Sequence, residues 1–148
     1  MFDRYQIITM KIDDCMVYSS IGDLLASDRH NYNSEDFLVF DVKAFTRVEE
    51  IFYDKCPGDW VSVILSNNRN VALTEDQEVI LPNGSLIKAK DLKRGQKLYW
   101  CEHKIPLNYA TLIEIYVAGV ESVYPRDGYE LMTESKSYIA GGIQIASF

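Results

Sequence analysis

The nucleophiles and acid–base groups of this chain are few and scattered. It has three cysteines, Cys15, Cys56 and Cys101, and two histidines, His30 and His103. Cys101-Glu102-His103 would place a thiol and an imidazole on one side of an extended strand, which is half of a metal site. No second pair stands at a matching spacing and there is no CxxC, so neither a zinc site nor a disulfide framework is indicated. We expect reduced, mainly structural cysteines, no metal and no cofactor. A lone histidine is more often a surface or core residue than a functional one, so His30 and His103 carry no assigned role.

The elements that must position any site are strands. Short alternating or β-branched runs occur at Tyr5–Thr9, Met16–Tyr18, Phe37–Val42, Phe45–Val48, Trp60–Leu65, Asn70–Thr74 and Glu78–Leu81. Further runs follow at Ser85–Ala89, Lys97–Trp100, Tyr109–Val117, Gly128–Met132 and Ser137–Ala140, so the pattern predicts an all-β chain. Asn83-Gly84 is the strongest hairpin signal, since both residues tolerate the positive φ that a primed turn requires. Helical character is confined to Ser20–Ala26, where Ser20 is the expected cap, and to Lys90–Gly95, which ends on a glycine. Ser27–Asp36 is polar and reads as an exposed loop.

The chain has 148 residues, the size of one ordinary domain, with 47% hydrophobic and 25% charged residues. A net charge of −7 argues against a nucleic-acid platform, because phosphate binding is dominated by Lys and Arg. No apolar run of about 18 residues suggests a membrane span, and no leader is evident. The expectation is a cytoplasmic domain that binds neither nucleic acid nor membrane. Ten tyrosines are expected mainly as cross-strand partners, with some between Tyr109 and Tyr124 left as contact residues.

Three stretches, in order, resemble the sequence blocks of the Hint superfamily, the inteins and hedgehog-type autoprocessing domains. Tyr129-Glu130-Leu131 followed by Tyr138-Ile139-Ala140-Gly141-Gly142-Ile143-Gln144-Ile145 is similar to the closing block, with Ala146-Ser147 where the family carries His-Asn. Thr74-Glu75-Asp76-Gln77 is similar to the block Thr-x-x-His, with Gln77 at the histidine. Asn83, Gly84, Ala89, Asp91, Leu92 and Gly95 continue that block, but Gln96 stands where its aspartate would be. Tyr5–Thr9 followed by Ser20–Leu25 resembles the opening block, and aligning Thr9 with its last threonine leaves the nucleophile position before Met1.

The resemblance implies an all-β, Hint/intein-like horseshoe of curved antiparallel strands with one or two short helices, a single domain over residues 1–148, and termini close together. It also implies that the chemistry is missing. Splicing begins when a first-residue thiol or hydroxyl attacks the preceding carbonyl, and the Met1 thioether cannot. The family histidine protonates the scissile amide nitrogen, and Gln77 has no proton to give near neutral pH. The terminal asparagine amide, helped by the preceding histidine, releases the chain; Ser147 lacks the amide nitrogen and Ala146 lacks a base. The family's histidine in the closing block falls at Lys136. Cys15, a displaced nucleophile in principle, sits within the second expected strand and reads as a packed small side chain.

Met1, Thr74, Asp76, Gln77, Lys136, Ala146 and Ser147 are therefore expected as vestigial site positions with no active catalytic residue. The expected function is a degenerate Hint domain acting as a structural or protein-interaction module, with a protein partner or self-association, and of phage or virion origin by analogy. Two alternatives stand beside it: a working or deliberately trapped autoprocessing domain, and an unrelated β-rich binding protein. A horseshoe with Thr74 and Gln77 facing Ala146-Ser147 across a shallow cleft would exclude the last.

Overall fold

Fourteen strands account for most of the computed structural model, which describes residues 1–26, 37–42, 44–104 and 109–147. They are β1 (Phe2–Asp3), β2 (Ile7–Ile12), β3 (Cys15–Ser20), β4 (Phe37–Asp41), β5 (Ala44–Asp54), β6 (Trp60–Leu65) and β7 (Asn70–Thr74). After them come β8 (Glu78–Ile80), β9 (Leu86–Lys88), β10 (Lys97–Lys104), β11 (Tyr109–Val123), β12 (Gly128–Thr133), β13 (Ser137–Ala140) and β14 (Ile143–Ala146). They join edge to edge in the order β3-β2-β4-β5-β12-β1-β7-β6-β11-β10-β14-β8-β9, with β13 paired to β14. All the pairings are antiparallel, so the all-β expectation holds. The expected loop Ser27–Asp36, with His30, lies outside the described residues.

Among the described residues one α-helix, α1 (Ile21–Ala26), starts where the sequence places its cap: the Asp23 amide donates to Ser20 Oγ at 3.2 Å. The second expected helix, Lys90–Gly95, is only a single 3₁₀ turn at Ala89–Asp91. Leu92 is already extended (φ −62°, ψ 136°), because the turn's backbone is held elsewhere: the Ala89 and Lys90 amides donate to the carbonyls of Gln77 and Glu75. The Asn83-Gly84 hairpin forms, but with a different turn. Gly84 donates its amide to Leu81 O at 2.8 Å and has φ +86°, whereas Asn83 stays out of the left-handed region. Pro82 and Asn83 take the centre of the turn and the glycine follows it, the three-residue solution rather than the primed one.

Strand limits depart from the sequence reading where one face is wet. β5 continues to Asp54 through Glu49-Glu50, whose exposed side chains mask the alternation, and β11 runs on to Val123 past a register shift between Val117 and Gly119. Tyr5, expected in the first strand, is a turn residue 72% exposed, and the real first strand is the dipeptide Phe2–Asp3. Two residues are too short to show a period. Burial and pairing make this strand: Phe2 is fully buried, paired with Tyr129 and Leu73, and edge-on to Tyr138 at 5.9 Å. Burying one such side chain contributes about 1.5–3 kcal/mol. Asp3, also buried, accepts from Arg126 Nη1 at 2.7 Å and from the Tyr5 amide.

Phe2 belongs to one core with Ile8, Met10, Phe37, Leu73, Leu131, Ile143 and Ile145, which joins the N-terminal and C-terminal strands. β13 is buried at all four positions, because it packs against β4 and β2 as well as pairing with β14. The β13–β14 hairpin turns at Gly141-Gly142. There Gly142 has φ +93°, and a Cβ would lie 2.4 Å from the Trp100 ring. The Gly142 carbonyl accepts from the Cys101 amide at 2.8 Å, seating β14 against β10.

This contact yields a test. Gly142→Ala combines a disfavoured φ with an aromatic clash and should cost about 2 kcal/mol or more. Gly84→Ala, with φ +86° but open space around it, should cost about 1 kcal/mol. Urea denaturation of the two variants measures the ranking.

Candidate functional site

The end of β7 and the turn after it carry the polar side chains of the site. Thr74 ends the strand, and the Gln77 amide donates to Thr74 O at 3.0 Å, closing the turn. The 3₁₀ turn clamps this loop through the carbonyls of Glu75 and Gln77, so both Thr74 (3% exposed) and Gln77 (6% exposed) are buried against the strands. β1 brings residue 1 to them: the Thr74 amide donates to Met1 O at 2.9 Å.

The nitrogen of residue 1 is held by three oxygens. It donates to Thr74 Oγ1 at 2.7 Å and to Gln77 Oε1 at 2.7 Å, and lies 3.5 Å from Glu130 Oε2. On its other side the Gln77 amide donates from Nε2 to Ala146 O at 2.9 Å and to Glu78 O at 3.0 Å. Both ends of the Gln77 amide are thereby satisfied in one orientation. A single side chain joins the start of β1 to the end of β14.

Ser147 sits beside this bridge. Its Oγ lies 3.1 Å from Thr133 Oγ1 and accepts from the Thr133 amide, while its own amide donates to Lys136 O at 2.9 Å. Met1, Thr74, Asp76, Gln77, Glu130, Ala146 and Ser147 line one cleft of about 460 Å³, whose rim includes Asp54, Pro57, Glu78 and Lys88. Of the expected positions, Lys136 alone is absent from that lining; its side chain is exposed in a left-handed turn (φ +70°) and only its carbonyl reaches Ser147. Met1, one of the expected positions, stands beside Thr74 and Gln77, and Gln77 links it to Ala146.

Glu130 is the residue that the sequence reading passed over, although it is the centre of the matched Tyr129-Glu130-Leu131. It is 3% exposed, and Tyr138 Oη donates to its Oε1 at 3.2 Å. Burial pushes its carboxyl up to about 7, against opposing pulls from the residue 1 ammonium and the Tyr138 hydroxyl. Burial likewise lowers the ammonium below its ordinary 8.0, partly offset by the charges of Glu130 and Asp76. The Tyr138 hydroxyl is raised, first by burial and then by Glu130.

The other candidate groups lie apart. Cys15 and Cys56 are exposed free thiols, so the packing expected of Cys15 is not what the fold gives it. Cys101 is buried with Phe40 and Ile139, and burial raises its thiol to about 11, which suits a packed side chain rather than a nucleophile. His103 lies on β10, with its imidazole outside the described atoms. Among the described residues no group of three or more metal-ligating side chains converges, and no helix is long and apolar enough to cross a membrane.

Because Glu130 titrates near 7 when folded and near 4.5 when unfolded, the folded protein binds more protons between those values. Its contribution to stability is therefore fullest below pH 4.5 and weakens as pH rises to 7. Across that window the wild type should lose about 1–3 kcal/mol relative to Glu130→Gln, which keeps the shape without the charge. Denaturation of both proteins at several pH values measures the difference; a constant difference would overturn it.

No protein-family model and no curated protein matches the sequence. Solved structures do match. The chain superposes on a transcription factor IIB Mvu mini-intein with TM-score 0.76 and 19% identity, over 99% of this chain and 100% of that one. An intein from a hyperthermophile gives TM-score 0.77 at 15% identity, over 99% and 98%. The Ssp DnaB mini-intein variant M86 gives 0.77 at 11%, over 99% and 93%. From end to end, this chain has the Hint fold of the inteins.

Proposed function

We propose that the domain is a non-catalytic Hint scaffold, a structural or protein-interaction module rather than a working splicing element. The observation that supports this most is the polarity of the hydrogen bond at residue 1. Gln77 presents its carbonyl oxygen to that nitrogen, so it accepts a hydrogen bond there. Release of an amine from a peptide bond needs the reverse, a donor that protonates the leaving nitrogen. The donating end of the same amide is committed to two backbone carbonyls. Residue 1 offers a thioether and residue 147 a hydroxyl, so neither carries the group that the splicing chemistry of the fold requires. Groups that act as one unit lose their effect together.

What remains is a joint. Gln77, the Phe2 side chain and the β13–β14 hairpin hold both ends of the domain at one cleft. A rigid joint of this kind presents surface loops and exposed residues such as Tyr53, Tyr116 and Tyr124 to a partner. The rival reading is an autoprocessing domain with unusual chemistry. One observation favours it: a buried carboxyl titrating near 7 within the cleft.

Intact mass of the chain fused between two small folded tags, followed over time with and without added thiol, decides between them. The scaffold reading expects one unchanged mass in both conditions. A ligated-tag mass, or thiol-dependent release of the first tag, would establish autoprocessing. The double variant Met1→Cys/Gln77→His in the same fusion should gain thiol-dependent release, since it returns a nucleophile and a proton donor to a cleft whose backbone is intact.

A further inference from the structure

Three turns meet in a second hollow, of about 330 Å³, which shares no lining residue with the cleft at residue 1. They are the turn at Tyr5-Gln6, the turn between β6 and β7, and the Gly141-Gly142 turn, whose Gly141 amide donates to Ile7 O at 3.0 Å and so ties the third to the first. The second is built by its asparagines. The Arg69 amide donates to Asn67 Oδ1 at 3.0 Å, the Leu65 amide donates to Arg69 O at 2.9 Å, and Asn68 takes a left-handed φ of +64°. The backbone of Arg69 is thereby fixed on both sides, while the residue itself stays exposed. Trp100, from β10, completes the lining. A Cβ on Gly142 would run into the Trp100 ring and one on Gly141 into Gln6 Oε1, so glycine at both positions lets an indole and an amide close on a bare backbone floor.

We propose that this hollow binds a small aromatic carboxylate, with the carboxylate on Arg69 and the ring against Trp100. Charge argues first. The chain carries a net charge of −7, and the cleft at residue 1 is lined by Asp54, Asp76, Glu78 and Glu130. Among the described residues the second hollow has no carboxylate in its lining; Arg69 is its single charged residue, and no described acid forms an ion pair with it. A guanidinium fork matches a carboxylate through two parallel hydrogen bonds, and Gln6 and Asn70 add amide N–H donors beside it. A phosphate would fit the fork as well, but the field of a chain at −7 repels a second negative charge, which favours a single planar anion. The indole, Ile7 and the bare glycines supply the flat apolar surface that orients a ring. Its volume stands at the lower end of small-ligand pockets, which run from about 300 to 1,000 Å³. The inference does not rest on the scaffold reading, since it uses none of the residues that reading concerns; covalent mass tests that reading, whereas ligand titration tests this one.

The experiment titrates the full chain with phenylacetate and follows the amide and indole N–H signals by NMR. Saturable shifts should be confined to the three turns and Trp100 Nε1–H, with a Kd in the millimolar range or below. Phenylacetamide keeps the ring without the charge and acetate keeps the charge without the ring, so each should bind about tenfold more weakly or worse. Arg69→Gln, at an exposed turn residue, should weaken phenylacetate binding about tenfold or more at an unchanged melting temperature. Arg4→Gln removes a cation beside Tyr5 but outside the lining, and should leave binding unchanged. The absence of any saturable shift at about 20 mM phenylacetate would overturn the proposal. Equal binding of phenylacetamide or of acetate would overturn it too, as would wild-type affinity in Arg69→Gln. An equal loss in Arg69→Gln and Arg4→Gln would also sink it, since general charge attraction would then be the cause.

Discussion

One side-chain amide, that of Gln77, ties this molecule together at its most consequential point. A single planar group accepts from residue 1 and donates to the carbonyl of residue 146, linking the start of β1 to the end of β14. The amide is held in turn by its own backbone, which the 3₁₀ turn at Ala89–Asp91 fixes from behind. A partly satisfied polar network in a buried place costs more than an apolar one, so the arrangement holds only because each atom has its partner. The core around it serves the same end: Phe2, Leu73, Leu131, Tyr138 and Ile145 bring β1, β7, β12, β13 and β14 into one packed unit.

The same feature separates architecture from chemistry. Thr74 and Gln77 place a hydroxyl and an amide where hydrogen bonds to residue 1 are satisfied, and satisfaction is a ground-state property. Catalysis would require groups whose bonding strengthens only as charge develops on the leaving nitrogen. Glu130 is the exception within the cleft, a carboxyl whose pKa burial raises to about 7 against the opposing pull of the residue 1 ammonium and the Tyr138 hydroxyl. With Asp76 it makes the cleft polar and acidic.

Much of the framework was legible before any coordinates. The β-branched runs and the Ser20 cap follow from local rules that a short window obeys, and the three ordered blocks carry the resemblance. Legibility failed where local and global preferences parted. β1 is two residues long and exists only because Phe2 fills the core between Tyr129 and Leu73. β14 hides within a glycine-led tail that carries only two buried isoleucines. Glu130 carries no local sign of burial, and its packing against Tyr138 and Met1 withdraws it from water.

By itself, then, the sequence determined the strand-rich class and which side chains, Met1, Gln77, Ala146 and Ser147 among them, stand at the positions matched to the family's blocks, because side-chain identity and two-residue periodicity are properties of the local chain. Tertiary structure alone decided that Glu130 would join Met1, Gln77 and Ala146, residues separated by up to 145 positions. Their meeting depends on burial and hydrogen-bond matching between distant strands, and so do the raised carboxyl and the three acceptors on one nitrogen; these are properties of the packed space, which no stretch of sequence contains.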